Sequence, residues 1–430
     1  MGAITDSSAR PQRLTVLAVG HYPPHPGGVA LSCSALFHGM ATRGHRVHLI
    51  AEGPPGCQSY DREHTGAFPA GFSLSRFPSP RFRTEHHRPD ELRSARETCR
   101  AGLEKMLPPL LDSLNPDVLV ACHEALCAPV AEYAALLGLP CVFLLRGSPT
   151  WQIAQNVAAR EVEREHLATL QQADLVIPVG RYMQICLQQR GLTRVRHISN
   201  FVALEKFRPL EPDSELRRQH SIPENAVIAL HPSTMQPRKR SQDIIKSAVR
   251  TLEHNPNLIY VFLGGGQYRD ELERLCRNLG LSQHFRFVPD VAYELMPRYY
   301  SIADIVLLSS EGEGLARVYM EAQACARTLV VSDIPAAREV IRHGETGLLF
   351  RMGDIADLAH QTLLAASDGD LRARIGRQAL AESAQFDLDR AVDEYVREFA
   401  RVAAGPVGVC GDSLRQPDDL IGDTFTAAAR

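Results

Sequence analysis

The chain has 430 residues, which is enough for two or three domains of ordinary size. Hydrophobic residues make up 44% and charged residues 23%, a globular composition that excludes a disordered, collagen-like or coiled-coil chain. The net charge of -3 lacks the basic excess of a nucleic-acid-binding protein, so we do not expect nucleic acid as a partner.

Targeting signals are absent from the sequence pattern. No stretch approaches 18 uninterrupted apolar residues, and the N-terminal segment lacks the apolar core of a signal peptide. We therefore expect a cytoplasmic protein without an integral membrane segment. The 10 cysteines are scattered singly, mostly in apolar runs, which favours reduced core thiols. Cys122, His123 and Cys127 crowd together but fit no structural zinc pattern.

Short apolar runs alternate with loops and helix-period segments, which predicts a parallel α/β architecture. A helix is expected at residues 30–42 and an amphipathic one at 154–172, while segment 54–89 is rich in Pro, Gly and Arg around a weak strand. The strands predicted in the first half are residues 14–19, 47–51, 118–121, 141–145, 175–178 and 196–198.

A second series of strands follows a proline-containing segment near residues 203–212. These strands are predicted at residues 227–231, 258–264, 285–288, 305–309 and 329–332. The resulting domain prediction is a first domain at residues 1–205, a second at 206–384, a helix at 385–404 that packs back on the first domain, and a tail at 405–430.

A glycine pair, Gly27 and Gly28, lies between the first strand and the helix that follows it. In parallel sheets ligands bind beyond the carboxyl ends of strands, and glycines let backbone amides approach a phosphate. The pair is therefore a candidate anion site, although a glycine turn without a ligand has the same sequence.

A second pattern begins at Glu313, which follows a predicted strand. We expect Gly314 to open a helix that carries Glu321, so that the carboxylates lie roughly 12 Å apart, the span of a sugar diphosphate. The free amides of Leu315 and Ala316 would then face a pyrophosphate. An acidic first turn that stabilises the helix dipole would explain Glu313 but not Glu321.

The run from residue 313 to residue 321 matches the E-x7-E motif of retaining glycosyltransferases, and the sequence around it resembles glycosyltransferase family 4. The resemblance covers most of the chain. Further matches lie, in the family's order, at residues 23–28, 43–47, 116–118, 200–209, 303–304 and 344–349.

The resemblance implies a glycosyltransferase B-type fold, in which two Rossmann-like parallel-sheet domains face each other across a cleft. It also implies a nucleotide-sugar donor and retention of the anomeric configuration. By motif position, Glu321 resembles the carboxylate that binds ribose, and Glu313 the one that holds the transferred sugar. His123 lies where the family has a cleft histidine near that sugar, with a satisfied surface histidine as the alternative.

In the family, an Arg and a Lys that neutralise the diphosphate follow the first strand of the second domain. Here Met235 stands near the position of that Arg, so the charge falls to Arg238, Lys239 or Arg240, and the sequence does not decide among them. A solvated basic turn is the alternative.

Other residues also depart from the family pattern. Phe201 replaces a typical Gly, Ala326 and Thr328 replace a Gly and a Pro, and Arg146 replaces a frequent His. We expect the first domain to bind the acceptor, with Arg146 and Trp151 at the cleft.

The sequence thus predicts a retaining, metal-independent transferase that uses a nucleoside diphosphate sugar, with UDP favoured over GDP, and a small-molecule or lipid acceptor. No cofactor is expected. The alternatives are a sugar-nucleotide epimerase, a glycosyl phosphorylase with Lys239 as its cofactor lysine, or a non-catalytic nucleotide-sugar binding protein. The Arg-rich stretch 76–100 is either a peripheral contact to anionic lipid or a solvated mixed-charge segment. The sequence leaves the oligomeric state open.

Overall fold

The computed structural model describes residues 13–25, 27–53, 57, 61, 63, 67–78, 89–289 and 291–405. The predicted tail from residue 406 onward and the Arg-rich stretch at residues 79–88 lie outside these residues. None of the helices described is both long and apolar enough to cross a membrane.

The first half of the chain builds a six-stranded parallel sheet with the strand order β3-β2-β1-β4-β5-β6. Its strands are β1 (Thr15–Gly20), β2 (Arg46–Gly53), β3 (Phe72–Pro78), β4 (Val118–Ala121), β5 (Cys141–Leu145) and β6 (Leu175–Pro178). The helices of this half are α1 (Gly28–Thr42), α2 (Pro89–Leu114), α3 (Cys127–Leu137), α4 (Thr150–Ala154), α5 (Arg160–Leu170) and α6 (Arg181–Gln189).

The second half repeats the arrangement with the strand order β12-β11-β10-β7-β8-β9. Its strands are β7 (Val227–Pro232), β8 (Leu258–Leu263), β9 (Phe285–Val288), β10 (Ile305–Leu308), β11 (Thr328–Ser332) and β12 (Leu348–Phe350). Its helices are α7 (Ser214–Gln219), α8 (Ser241–His254), α9 (Arg269–Asn278), α10 (Met296–Ile302), α11 (Arg317–Ala324), α12 (Pro335–Arg338), α13 (Ile355–Ser367), α14 (Gly369–Ser383) and α15 (Leu388–Ala403).

Both sheets have the doubly wound strand order: the second and third strands lie on one side of the first strand, and the fourth to sixth lie on its other side. The order in which strands are added thus reverses between the first and fourth strands of each sheet. The two reversal points lie between β1 and β4 and between β7 and β10. Ligands of such sheets bind beyond the carboxyl ends of the strands at these points. The predicted fold class, two Rossmann-like α/β domains, is confirmed.

The core shows why the strands are continuous apolar runs. In β1, Leu17 and Val19 belong to one buried cluster, whereas Val16 and Ala18 belong to another. Successive side chains of a strand point to opposite faces of the sheet, so helices cover both faces of β1. This packing on both faces fixes the position of the carboxyl end of β1, where the loop toward Gly28 begins.

Two predicted elements differ from the structure. The strand predicted at residues 196–198 is absent: the chain makes a single bridge at Val195, and the Gln184 side chain binds the backbone N–H of His197. The helix predicted at residues 154–172 is shorter: α5 covers Arg160–Leu170, and α4 already ends at Ala154. Between them Asn156 adopts a left-handed conformation, with φ of 57°, that an α-helix does not contain.

The final helix, α15, packs on α1 of the first half. Arg43, the C-cap of α1, forms ion pairs with Asp389 at 2.7 Å and with Asp393 at 2.8 Å. The backbone of Val202 is hydrogen-bonded to Phe386 and Leu388 at the start of the helix. The end of the described chain is therefore tied to the first sheet.

Candidate active site

A cavity of about 400 Å³ lies between the two sheets. Its walls come from loops at the carboxyl ends of strands in both halves of the chain. His21 and His123 follow β1 and β4, while Ser233 and Gly264 follow β7 and β8. The cavity therefore lies at the reversal points of both sheets, where a doubly wound fold binds ligands.

The loop at residues 313–316 carries the first half of the E-x7-E pattern, and it is not helical. Helix α11 begins at Arg317, so the prediction that Gly314 opens a helix is wrong. A Cβ at Gly314 would lie 2.3 Å from the Arg146 carbonyl oxygen, and the Leu315 carbonyl accepts a 3.0 Å hydrogen bond from the Asn200 side chain. These contacts with the first half of the chain hold the loop extended up to Ala316, which is the N-cap.

Glu313 is buried in the cavity wall and forms two ion pairs. Its Oε1 lies 2.6 Å from Lys239 Nζ, and its Oε2 lies 3.1 Å from Arg238 Nη1. Burial by itself would raise the pKa of Glu313, but the positive charges of Lys239 and Arg238 outweigh it and lower the pKa to about 2. Glu313 is therefore ionised at neutral pH.

The basic turn at residues 238–240 contributes two side chains to the cavity wall, and its third residue lies outside that wall. Arg238 and Lys239 line the cavity. Arg240 is not among the residues that line it, and its Nε lies 2.7 Å from Asp243 Oδ2 on α8. The prediction that Arg240 is a donor-site cation is therefore not supported by its position, because its charge is paired on the far side of the turn.

Glu321, on α11, lies deeper in the same cavity and is 3% exposed. Tyr293 donates a 2.9 Å hydrogen bond from its phenol to Oε1 of Glu321, and Tyr300 donates one of 2.9 Å to Oε2. Arg317, one helical turn earlier, has its Nε 3.4 Å from the same carboxylate. The second half of the E-x7-E pattern is thus a carboxylate held by two hydroxyl groups and a cation.

Arg317 is a cleft residue that the sequence did not single out. Its guanidinium contacts Tyr293 in its own half and lies 3.4 Å from Ser32 Oγ on α1 in the other half. It lines the cavity beside Gly28, where an added Cβ would lie 3.6 Å from the Arg317 Cδ atom. The only sequence signal was its position four residues before Glu321, which places both on one helix face.

Gly27 and Gly28 lie at the cavity as the sequence predicted. Gly27 has a φ of 101°, a conformation that favours glycine, and Gly28 is the first residue of α1. The backbone N–H groups in the first turn of α1 have no partner within the helix, so this end of the helix offers donors for an anion.

His123 lines the cavity directly after β4, with Glu124 behind it. Its Nδ1 accepts a 3.3 Å hydrogen bond from the Ala125 backbone, which leaves Nε2 as the protonated nitrogen of a neutral ring. Glu124 Oε2 lies 3.7 Å from that Nε2, while its Oε1 accepts a 2.7 Å hydrogen bond from Gly147 N. Burial raises the pKa of Glu124 to about 7. No pattern in the sequence pointed to Glu124.

The two predicted acceptor residues also line the cavity, but both are buried. The guanidinium nitrogens of Arg146 are buried, with Tyr395, Cys33 and Cys122 among their ionisable neighbours. The Trp151 ring packs against Gly312, where an added Cβ would lie 2.1 Å from the indole. Both residues join the two halves of the chain, and a role in acceptor binding stays a prediction.

Comparison with known proteins agrees with this architecture. The family model described as Glycosyltransferase Family 4 matches residues 26–206, and the one described as Glycosyl transferases group 1 matches residues 212–381. The Anabaena protein HepE, solved in complex with UDP and glucose, has a TM-score of 0.72 at 20% identity, covering 90% of this chain and 100% of HepE.

Two curated relatives illustrate the sequence similarity. The N-acetyl-alpha-D-glucosaminyl L-malate synthase of Bacillus anthracis is 24% identical over 86% of this chain and 93% of its own length. The putative glycosyltransferase EpsD of Bacillus subtilis is 30% identical, over 45% of this chain and 51% of EpsD. This chain spans about half the length of EpsD and of several other relatives. With both of its halves matched and its two-sheet fold shared, the chain belongs to glycosyltransferase family 4.

Proposed function

We propose that the protein transfers a hexosyl or N-acetylhexosaminyl group from a UDP-sugar to a hydroxyl group of an acceptor, with retention of the anomeric configuration. One observation carries the proposal. Glu313 with its two cations, and Glu321 with its two phenols, lie in one cavity between the two sheets.

The donor's nucleoside and diphosphate fit the second half of the chain. Glu321 offers carboxylate oxygens to the ribose hydroxyls, in the place where it now accepts the phenols of Tyr293 and Tyr300. Lys239 and Arg238 supply positive charge where the diphosphate gains negative charge as it leaves. The amide donors at the start of α1 lie across the cavity from this turn. The UDP bound to HepE supports a uridine donor.

The transferred sugar lies between Glu313 and His123 in this proposal. Ionised Glu313 accepts hydrogen bonds from sugar hydroxyls, and its two ion pairs make it a poor nucleophile. The neutral ring of His123 donates from Nε2 to another sugar hydroxyl. Retention then proceeds on one face of the sugar: the acceptor hydroxyl attacks as the diphosphate leaves, and the leaving phosphate takes the hydroxyl proton.

A screen of donors against acceptors tests the proposal. The protein is incubated with UDP-glucose, UDP-N-acetylglucosamine or GDP-mannose together with pools of small-molecule and lipid hydroxyl acceptors. We expect release of UDP and a product heavier by one sugar, detected by mass spectrometry, with the donor's anomeric configuration retained in its proton NMR spectrum. Glu313→Gln is the inactive control, because it removes the charged acceptor that is proposed to hold the hydroxyls of the transferred sugar.

Other outcomes identify the alternative functions. Conversion of the donor into another sugar nucleotide without an acceptor indicates an epimerase. Turnover that requires inorganic phosphate indicates a phosphorylase. Tight binding of UDP without release of UDP from any donor indicates a binding protein. Release of GDP in place of UDP would show that the donor is not a UDP-sugar, and it would leave the proposed sugar transfer itself in place.

A further inference from the structure

A cluster of three ionisable side chains lies behind the cavity wall in the first half of the chain. His21 follows β1, His25 lies in the loop before α1, and Glu52 is near the end of β2. Their exposed fractions are 3%, 4% and 1%. His21 Nδ1 lies 2.9 Å from His25 Nε2, and that Nε2 lies 3.9 Å from Glu52 Oε2. One potential ligand atom from each residue lies within 4.8 Å of the others.

The carboxyl group of Glu52 makes this cluster unusual. Both of its oxygens are buried, and neither accepts a hydrogen bond from any residue that the structure describes. A buried carboxylate without a hydrogen-bond partner has lost its hydration without replacement, which costs free energy. A positive charge placed between Glu52 and the imidazoles would remove this penalty.

The nearest cationic side chain does not supply that charge to the carboxylate. Arg76 forms an ion pair with Asp61 at 2.5 Å and donates to the backbone carbonyls of Glu52 and Pro23. Its guanidinium therefore contacts the backbone carbonyl of Glu52, and among the described residues no hydrogen bond reaches the Glu52 carboxylate. A cation bound between Glu52 and the two imidazoles would supply the charge that Arg76 does not.

We propose that His21, His25 and Glu52 bind one divalent transition-metal ion of the zinc class. Two imidazoles and a carboxylate are the protein ligands of a common zinc site, and nitrogen ligands disfavour magnesium and calcium. Bond lengths of 2.0–2.2 Å in a tetrahedral site place ligand atoms about 3.3 Å apart. The separations of 2.9 and 3.9 Å lie on either side of that value, and all three ligand atoms lie within 4.8 Å of one another, so binding would require side-chain rotations that draw them together.

The position of the cluster indicates what the ion would do. His21 also lines the cavity, and its ring centroid lies 5.2 Å from that of His123. An ion held by His21, His25 and Glu52 would fasten the loop that leads to Gly27 and Gly28 onto β2. We infer a structural site that fixes one wall of the cavity, distinct from the residues assigned to the diphosphate.

Metal titration of the full-length protein, purified without a histidine tag and treated with a chelator, tests the site. We expect one equivalent of Zn²⁺ to bind per chain in calorimetry and to raise the melting temperature by several degrees. Co²⁺ should give the visible absorption of a site with nitrogen and oxygen ligands. His25→Gln and Glu52→Gln should each weaken zinc binding at least ~100-fold.

His48→Gln is the matched control, since His48 is a buried histidine on the same strand whose ring is bound to Ser73. The His48→Gln variant should still bind one equivalent of Zn²⁺ per chain. Failure of the wild-type protein to bind zinc, or equal loss in His48→Gln and His25→Gln, overturns the proposal. A Co²⁺ spectrum with the intense ultraviolet band of thiolate ligation also overturns it. The cobalt and calorimetric measurements on wild-type protein hold even if a variant does not fold.

Discussion

Lys239 Nζ lies 2.6 Å from Glu313 Oε1, although the two residues are 74 positions apart in the chain. Arg238 reaches the other oxygen of the same carboxylate. One buried anion therefore positions two cations at the cavity wall. The ion pairs offset hydration that each cation loses at the wall, and they hold both side chains ready for a diphosphate.

The first prediction concerns these two cations. Lys239→Gln and Arg238→Gln should each lower kcat by about 100-fold, because each removes positive charge from the site where the leaving diphosphate gains negative charge. Arg240→Gln is the matched control from the same turn, and it should keep near wild-type turnover because its side chain pairs with Asp243. Steady-state rates with the full donor check this. Equal losses in all three variants would show that the turn acts as one undivided basic patch.

The second prediction separates the two carboxylates of the E-x7-E pattern. Glu321→Ala should weaken UDP binding by about 10- to 100-fold, because it removes a charged acceptor for the ribose hydroxyls. Glu313→Ala should keep UDP affinity and lose turnover, because Lys239 and Arg238 remain available to the diphosphate. Calorimetry with UDP and rates with the full donor measure the two effects. An equal loss of UDP affinity in both variants would falsify the assignment.

The third prediction concerns His123. His123→Ala should lower turnover at least ~10-fold with a nearly unchanged melting temperature, since the ring borders the cavity and the hydrogen bond that it accepts from the Ala125 backbone is long at 3.3 Å. His123→Asn is the informative partner variant, because Asn can cap Ala125 but has no imidazole. If Asn restores turnover, His123 acts only as a cap.

Strands were the part of the fold that sequence predicted best. The predicted bounds at residues 118–121, 141–145, 175–178 and 285–288 coincide with β4, β5, β6 and β9. A parallel strand covered by helices on both faces must be apolar at every position, so it begins and ends sharply in the sequence. The three-residue strand β12 gave no such signal and was missed.

Site details that depend on contacts between the halves of the chain were not predictable. Gly314 looked like a helix start, but its approach to the Arg146 carbonyl and the hydrogen bond from Asn200 to the Leu315 carbonyl hold residues 313–316 extended. Arg240 had the same sequence context as Lys239, and Asp243 decides where it points. Glu124 can be recognised as a site residue only in the folded chain, where Gly147 and Thr150 donate hydrogen bonds to its carboxylate. Such neighbours are distant in sequence, so no local pattern contains them.

The fourth prediction is a pH dependence of stability. The folded pKa of Glu124, about 7, lies above its ordinary value of 4.5, so between these values the native state binds more protons than the unfolded state. The contribution of this group to stability is present below pH 4.5 and is lost as the pH rises through 7. At most it is on the order of 3 kcal/mol.

Glu124→Gln should therefore gain stability relative to wild type as the pH rises from 5 to about 8, because the amide does not ionise. Melting temperatures of both proteins across this pH range measure the difference. Glu161→Gln, an exposed substitution on α5, is the control and should follow wild type. A constant difference between Glu124→Gln and wild type at every pH would contradict the raised pKa of Glu124.

Two D-x-D tripeptides of the kind that bind a diphosphate-bound cation in other glycosyltransferases lie in the last helices. Asp368 accepts a 2.8 Å hydrogen bond from Leu371 N as the N-cap of α14. Asp387 caps α15, and Asp389 pairs with Arg43 at 2.7 Å. None of these carboxylates is among the residues that line the cavity, so their positions favour structural roles.

The last prediction follows from the charges that do line the cavity. Arg238, Lys239 and the start of α1 supply positive potential to a diphosphate without a bridging ion. Turnover should therefore continue in excess EDTA and should not rise when magnesium or manganese is added. The same assay on Arg238→Gln/Lys239→Gln should show a sharp loss that neither ion repairs. Zinc bound at His21, His25 and Glu52 does not contact the diphosphate in this scheme, so any loss of stability on chelation should be reversed by zinc. Activity that disappears in EDTA and returns with magnesium or manganese, but not with zinc, would mean that a bridging cation carries the charge assigned here to Arg238 and Lys239.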